Sequence, residues 1–92
     1  MSYALSFTKI ALSDIEKHKK AGDRAVLKKL SILLNELREH PKTGAGQPEI
    51  LKYELQGLYA RRINRKHRLI YDIQEEIVTV LVISAHSHYG DK

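Results

Sequence analysis

The hydrophobic period of this chain changes partway along its length, and that change restricts its fold more than any other feature. Val26, Leu30, Leu33, Leu34 and Leu37 recur at i, i+4, i+7, i+8 and i+11, with Leu27 at the margin. That spacing is a wide apolar stripe on one face of a helix running from about Asp23 to Glu39. Ile32 points away from the stripe and is available to a partner. Pro41 stops the helix, and the Gly- and Pro-rich stretch PKTGAGQPE at 41–49 reads as a loop. Beyond it the period becomes two, over runs at roughly 57–63, 66–74 and 77–87, with turns at Asn64-Arg65 and Glu75-Glu76.

The segment before the long helix completes the order. Ser2–Phe7 alternates as a short strand with Tyr3, Leu5 and Phe7 on one face. Thr8 is placed to cap a helix through about Lys20, with Ala11, Ile15 and His18 on one side, and Ala21-Gly22 ends it. The expected order is β-α-α-β-β-β, an α+β domain of two layers. Its antiparallel sheet carries a helix pair on one face. At 92 residues the chain makes one domain, residues 1–92, able to hide roughly 60–65% of its unfolded surface. It lacks cysteine, which excludes disulfides and thiolate metal sites and suits a reducing cytoplasm. No N-terminal segment has the form of a signal peptide. The longest apolar run, IVTVLVI, is too short to span a bilayer, so no membrane role is expected.

Charge is distributed unevenly. The net charge is +5, a weak pointer to an anionic partner. Residues 9–42 carry nine Lys/Arg against five Asp/Glu, the mixture of solvated helix faces, whereas residues 52–71 carry six against one. Five of those six, Arg61, Arg62, Arg65, Lys66 and Arg68, fall on one expected hairpin. By parity His67, Leu69, Tyr71 and Ile73 face the helices, and Lys66, Arg68, Ile70 and Asp72 face away. A three-residue turn sets Arg62 directly across from Arg68. Like charges so paired are destabilising unless they splay into water or share an anion. Guanidinium forks converging on one face suit a phosphate, so both readings stand.

Two further features keep company with these cations. At the C-terminus, SAHSHYGDK, alternation sets Ser84, His86 and His88 on one face and Tyr89 on the other, unless the strand ends or bulges there. A His-x-His pair can chelate a metal, but no third ligand is evident, so no metal is assigned. Solvated histidines and a proton-transferring histidine both fit the pattern. Glu49 follows Pro48 in the loop and precedes Lys52 by three residues. A lone loop glutamate is ordinarily solvated. Beside arginines, a lysine and a histidine, it could supply what metal-free cleavage of an RNA backbone requires. Those requirements are a base for the 2′-hydroxyl, cations for the phosphoryl oxygens and an acid for the leaving 5′-oxygen.

The stretches GAGQPEILK, ELQGLYARRIN, HRLIY and the late HY resemble the YoeB/Txe-type toxins of the RelE superfamily. The match is dense from Pro41 to Tyr89, about half the chain. The resemblance implies a ribosome-dependent mRNA endonuclease that cuts codons in the A site and needs no cofactor. It implies as partners the ribosome, mRNA and an antitoxin encoded beside it, Phd/YefM-like with an acidic tail; the sequence leaves homodimerisation open. Carried over by position, Glu49 corresponds to the general base, His88 to the general acid and Arg68 to the arginine stabilising the transition state. Lys52 and Arg62 match phosphate- or RNA-contacting cations, Tyr89 the tyrosine that orients RNA, and Arg61 and Arg65 general RNA contacts. The chain departs from many relatives in having His86 two positions before His88 and in continuing past Tyr89 as Gly90-Asp91-Lys92. These changes bear on codon preference and on the posture of Tyr89. A ParE-like gyrase inhibitor would share the fold and charge without needing Glu49, Arg68 and His88-Tyr89 together. A non-catalytic RNA-binding module would be indifferent to losing Glu49 or His88.

Overall fold

Both helices start where a side-chain oxygen is available to their orphan amides. In the computed structural model, which describes residues 2–42, 49–50 and 57–86, β1 (Ala4–Phe7) runs straight into α1 (Lys9–Ala21). Thr8 caps α1: its Oγ1 accepts the Ala11 N–H at 3.0 Å and donates to the Ile83 carbonyl at 2.7 Å. One hydroxyl therefore starts the helix and ties it to the last strand. Gly22 ends α1 at φ 69°, a left-handed conformation that glycine adopts without a Cβ penalty. Asp23 then caps α2 (Arg24–Glu39) by accepting the Val26 N–H. The stripe of α2 lies where the period put it, with Val26, Leu30, Leu33 and Leu37 buried and Ile32 exposed.

The sheet contains five strands in the order β1-β5-β4-β3-β2, adding β2 (Glu49–Ile50), β3 (Tyr59–Arg62), β4 (Arg68–Gln74) and β5 (Thr79–Ser84). The meander β3-β4-β5 is antiparallel, as the turn chemistry implied. Two additions were not expected. β1 pairs with β5 in parallel, so the sheet is mixed rather than wholly antiparallel, and residues 49–50, assigned to a loop, make a two-residue edge strand on β3. The parallel pairing of residues 4–7 with 79–82 joins strands separated by both helices and three other strands, and local periodicity carries no signal for that.

Asn64 turns the β3–β4 hairpin by accepting from the Lys66 and His67 amides through Oδ1. At the Glu75-Glu76 turn a short 3-10 segment, Glu75–Ile77, ends on Val78 at φ 48°, a costly backbone for a β-branched residue.

Cross-strand partners define the two faces. Leu5↔Val80, Phe7↔Val82, Tyr71↔Val82 and Tyr59↔Tyr71 lie on the helix side and pack with Leu30, Leu33 and Leu37. Tyr59 stacks on Tyr71 with ring centroids 5.7 Å apart. The other face carries Ala60↔Ile70 and Arg62↔Arg68. A bulge in β5 makes Val82 the partner of Tyr71 but Ser84 the partner of Ile70, so the alternation along β5 breaks before its end.

Candidate functional site

Arg62 and Arg68 are directly paired, as the three-residue turn required. Arg62 is exposed, while Arg68 is half-buried. The Nη1 of Arg68 is buried and has no hydrogen-bond partner. Two positions further along the same strand face, the partner of Ile70 is Ser84, whose Oγ is likewise buried and unpaired. Buried donors in native proteins almost always have an acceptor, and an ionic acceptor makes the stronger bond. Two donors without one, on a face that also holds a second guanidinium, form a cradle that an anion oxygen would complete.

The backbone register brings Glu49 to the same region. Glu49 pairs with Ala60, Ala60 with Ile70, and Ile70 with Ser84, so these four positions form one row across the sheet. Arg62 and Arg68 form the adjacent row. Ala60 and Ile70 are buried, giving the row an apolar floor in which charge–charge interactions are less screened than in water. Arg65 sits exposed at the hairpin tip with Lys66, outside these rows. Lys52, His88 and Tyr89 lie outside the described residues.

Arg61 departs from its expected position. It pairs with Leu69, which puts it on the helix face, and it is 0% exposed. Its Nε donates to the Tyr71 hydroxyl at 3.0 Å, Nη1 to Glu36 Oε1 at 3.2 Å, and Nη2 to the His40 carbonyl. Tyr71 in turn donates to the Pro41 carbonyl at 2.7 Å. Burial pushes the Tyr71 phenol above its ordinary range, against the pull of the neighbouring Arg61. A cation beside the last carbonyls of α2 is favoured by the helix dipole. The expectation that Arg61 meets RNA is therefore corrected: the side chain is consumed in anchoring the α2 terminus to β3 and β4.

A second cluster lies at the end of α1. His18 is buried, its Nε2 2.8 Å from the Ala85 carbonyl, and Asp14 Oδ2 accepts the Ala85 N–H at 2.9 Å. Asp14 and His18, one helical turn apart, thus hold both polar groups of the residue following β5. His67 and His86 pack against His18, with ring centroids 4.4–5.0 Å apart. His67 is held below the usual imidazole range by burial and then by His86 and His18; His86 is held down by burial and then by His18 and Lys17. The strand parity that grouped His86 with Ser84 fails here, because β5 bulges and ends first. Nothing in the local pattern joins histidines at 18, 67 and 86.

Residues 7–89 match the family described as the YoeB-like toxin of bacterial type II toxin-antitoxin systems. Toxin YoeB of Synechocystis is 36% identical over 85 residues, covering 88% of this chain and 96% of that protein. Among solved structures, a YoeB/ParE toxin from Agrobacterium tumefaciens superposes with a TM-score of 0.86 at 29% identity, covering 94% of this chain and 99% of the other. The toxin of a YoeB-YefM complex from Staphylococcus aureus does so at 0.80 and 31%, covering 95% and 98%. A YoeB dimer from the same organism has also been solved, with a TM-score of 0.80 at 33% identity and the same coverage.

Proposed function

Since this chain belongs to the YoeB-like toxins of type II toxin–antitoxin systems, we propose that it is an endoribonuclease. In this reading it cuts mRNA in the ribosomal A site and so halts translation in the bacterial cytoplasm. The observation that carries the proposal is the buried, partnerless Nη1 of Arg68 beside Arg62, on the face to which the register brings Glu49.

In this mechanism Glu49 takes the proton of the 2′-hydroxyl, whose oxygen attacks the adjacent phosphorus. Arg68 holds the non-bridging oxygens as negative charge grows, filling its open donor position. His88 gives a proton to the departing 5′-oxygen. The products are a 2′,3′-cyclic phosphate, which can open to a 3′-phosphate, and a 5′-hydroxyl. Lys52, Arg62 and Arg65 contact the phosphate backbone, and Tyr89 orients the RNA. An ordinary carboxylate, with a pKa of about 4.3, is a weak base, so the ribosome-bound site must raise the proton affinity of Glu49. Residues able to supply base, acid and charge stabilisation are all assigned within the chain, so the reading gives a metal ion no catalytic part.

Regulation follows from the same face. A YefM-like antitoxin with an acidic tail that orders on contact would cover Arg62, Arg68 and His88 and block phosphate entry. The existence of a solved YoeB-YefM complex among the relatives supports that partner, and a solved YoeB dimer makes self-association a reasonable state for the free chain.

Single-turnover cleavage on programmed ribosomes tests the assignment. Glu49→Gln, Arg68→Ala and His88→Ala should each slow cleavage by at least about 10²-fold while A-site binding changes little, because each acts mainly on the transition state. Arg62→Ala should weaken binding instead, with a shallower salt dependence. Undiminished cleavage by Glu49→Gln removes it as the base. Loss of gyrase function before translation falls would replace the nuclease reading altogether.

A further inference from the structure

The three-histidine cluster has a composition that the nuclease reading does not use. His18 comes from α1, His67 immediately precedes β4, and His86 follows β5 by two residues. One donor nitrogen from each lies within 4.8 Å of the others. Packing three imidazoles together is unfavourable if any two are charged, and burial favours the neutral ring at His67 and His86. A neutral imidazole with a lone pair is also the form that binds a metal.

The Ala85 carbonyl can only accept, so the Nε2 of His18, 2.8 Å away, carries a proton there, and in the neutral ring Nδ1 is the lone-pair nitrogen. A backbone carbonyl fixing tautomer and ring orientation is the outer-shell arrangement found behind metal-ligating histidines. Asp14 steadies the same peptide from its other side. Lys17 and Lys66 oppose a cation at this place, and Asp14 and Asp23 favour one. The local charge is therefore close to balanced.

We propose that His18, His67 and His86 bind one borderline divalent transition-metal ion, zinc being the representative. Three imidazoles without a carboxylate ligand suit zinc, cobalt, nickel or copper and reject magnesium and calcium. Bonds of about 2.0–2.1 Å set neighbouring nitrogens about 3.4 Å apart in a tetrahedron. Binding therefore requires the three nitrogens, now within 4.8 Å of one another, to close to that distance. The fourth position falls to water. The site lies on the α1 side, away from the face carrying Arg62 and Arg68, and it does not depend on the nuclease proposal. Its effect is structural: the ion ties α1 to the end of the β3–β4 hairpin and to the end of β5.

The test uses the untagged full chain, stripped with EDTA and then titrated with zinc chloride, followed by calorimetry and thermal melting. One zinc per chain should bind with a dissociation constant of about 10 μM or tighter. Saturation should raise Tm by more than about 5 °C. Magnesium at the same concentration should do neither. Cobalt should give the visible absorption of a four-coordinate site. His67→Gln and His86→Gln should each weaken zinc binding at least tenfold, whereas His40→Gln, remote from the cluster, should not. Melting in EDTA checks that the variants fold, and if one does not, the cobalt spectrum of the unaltered chain decides. No saturable binding below about 100 μM zinc, or binding unchanged in His67→Gln and His86→Gln, overturns the proposal.

Discussion

Truncating Arg61 to alanine should be among the most destabilising single changes in the protein, although it looks from the sequence like one surface cation among five. The guanidinium is fully buried and donates to Tyr71, Glu36 and the carbonyl of His40. A hydrogen bond involving a charged group contributes about 1.5–3 kcal/mol, but these three do not simply add. Glu36 is 30% exposed and can return to water, and the Tyr71 hydroxyl keeps its bond to Pro41. The His40 carbonyl and the vacated volume are not so easily satisfied. An unsatisfied buried carbonyl costs about 1–3 kcal/mol and the cavity left by a large buried side chain about 2–5 kcal/mol. With partial relaxation, a loss of about 3–5 kcal/mol is expected for Arg61→Ala. Against a total stability of about 5–15 kcal/mol, that loss brings the domain close to unfolding. Arg62→Ala, one residue away and exposed, should stay within about 0.5 kcal/mol of the unaltered protein. Arg61→Lys keeps the charge but not the fork, and should fall between them. Urea unfolding followed by far-UV circular dichroism, with the slope compared as well as the midpoint, measures all three. If Arg61→Ala lost less than about 1 kcal/mol, or matched Arg62→Ala, the structural role assigned to Arg61 would be wrong.

Two further outcomes follow from other contacts. Asp14→Ala leaves the buried Ala85 amide without its acceptor and should cost about 1–3 kcal/mol; Asp14→Asn, which can still accept, should cost clearly less, and equal losses would argue against that bond. The Glu75 carboxyl is held below its ordinary value by hydrogen bonds first from Tyr3 and then from Lys42. The folded state therefore binds fewer protons than the unfolded one between the lowered value and the ordinary value of 4.5. Its contribution is complete above the unfolded value and is lost as pH falls through the folded one. The small stability gap between the unaltered protein and Glu75→Gln should shrink as pH falls from about 5 to about 3; a gap independent of pH would refute the pairing.

What the sequence made legible was whatever depends on neighbours along the chain. Thr8 and Asp23 announced both helix starts, the stripe on α2 faced inward, and Asn64 turned the hairpin that pairs Arg62 with Arg68. The slot taken by β1 was not legible, because pairing residues 4–7 with 79–82 in parallel joins strands separated by both helices and three other strands. The burial of Arg61 was legible and overlooked. If Arg62 opposes Arg68, then Arg61 opposes Leu69, and the parity that assigned Leu69 to the core assigns Arg61 there too. Charge prevailed over parity in that reading. The joining of His18, His67 and His86 was hidden by distance in sequence, and the end of β5 at Ser84 undid the alternation that had grouped His86 with Ser84.

The claim that Glu49, Arg68 and His88 perform metal-free attack by a 2′-hydroxyl is tested most directly by changing one atom of the substrate. Programmed ribosomes would carry mRNA with 2′-deoxyribose at the scissile nucleotide, beside the all-ribose message, and fragment ends would be identified with EDTA present. With ribose, cleavage should leave a 2′,3′-cyclic or 3′-phosphate and a 5′-hydroxyl. With deoxyribose, cleavage should vanish while A-site binding persists. Cleavage of the deoxy substrate, or a metal-dependent cut leaving a 5′-phosphate, would contradict the mechanism.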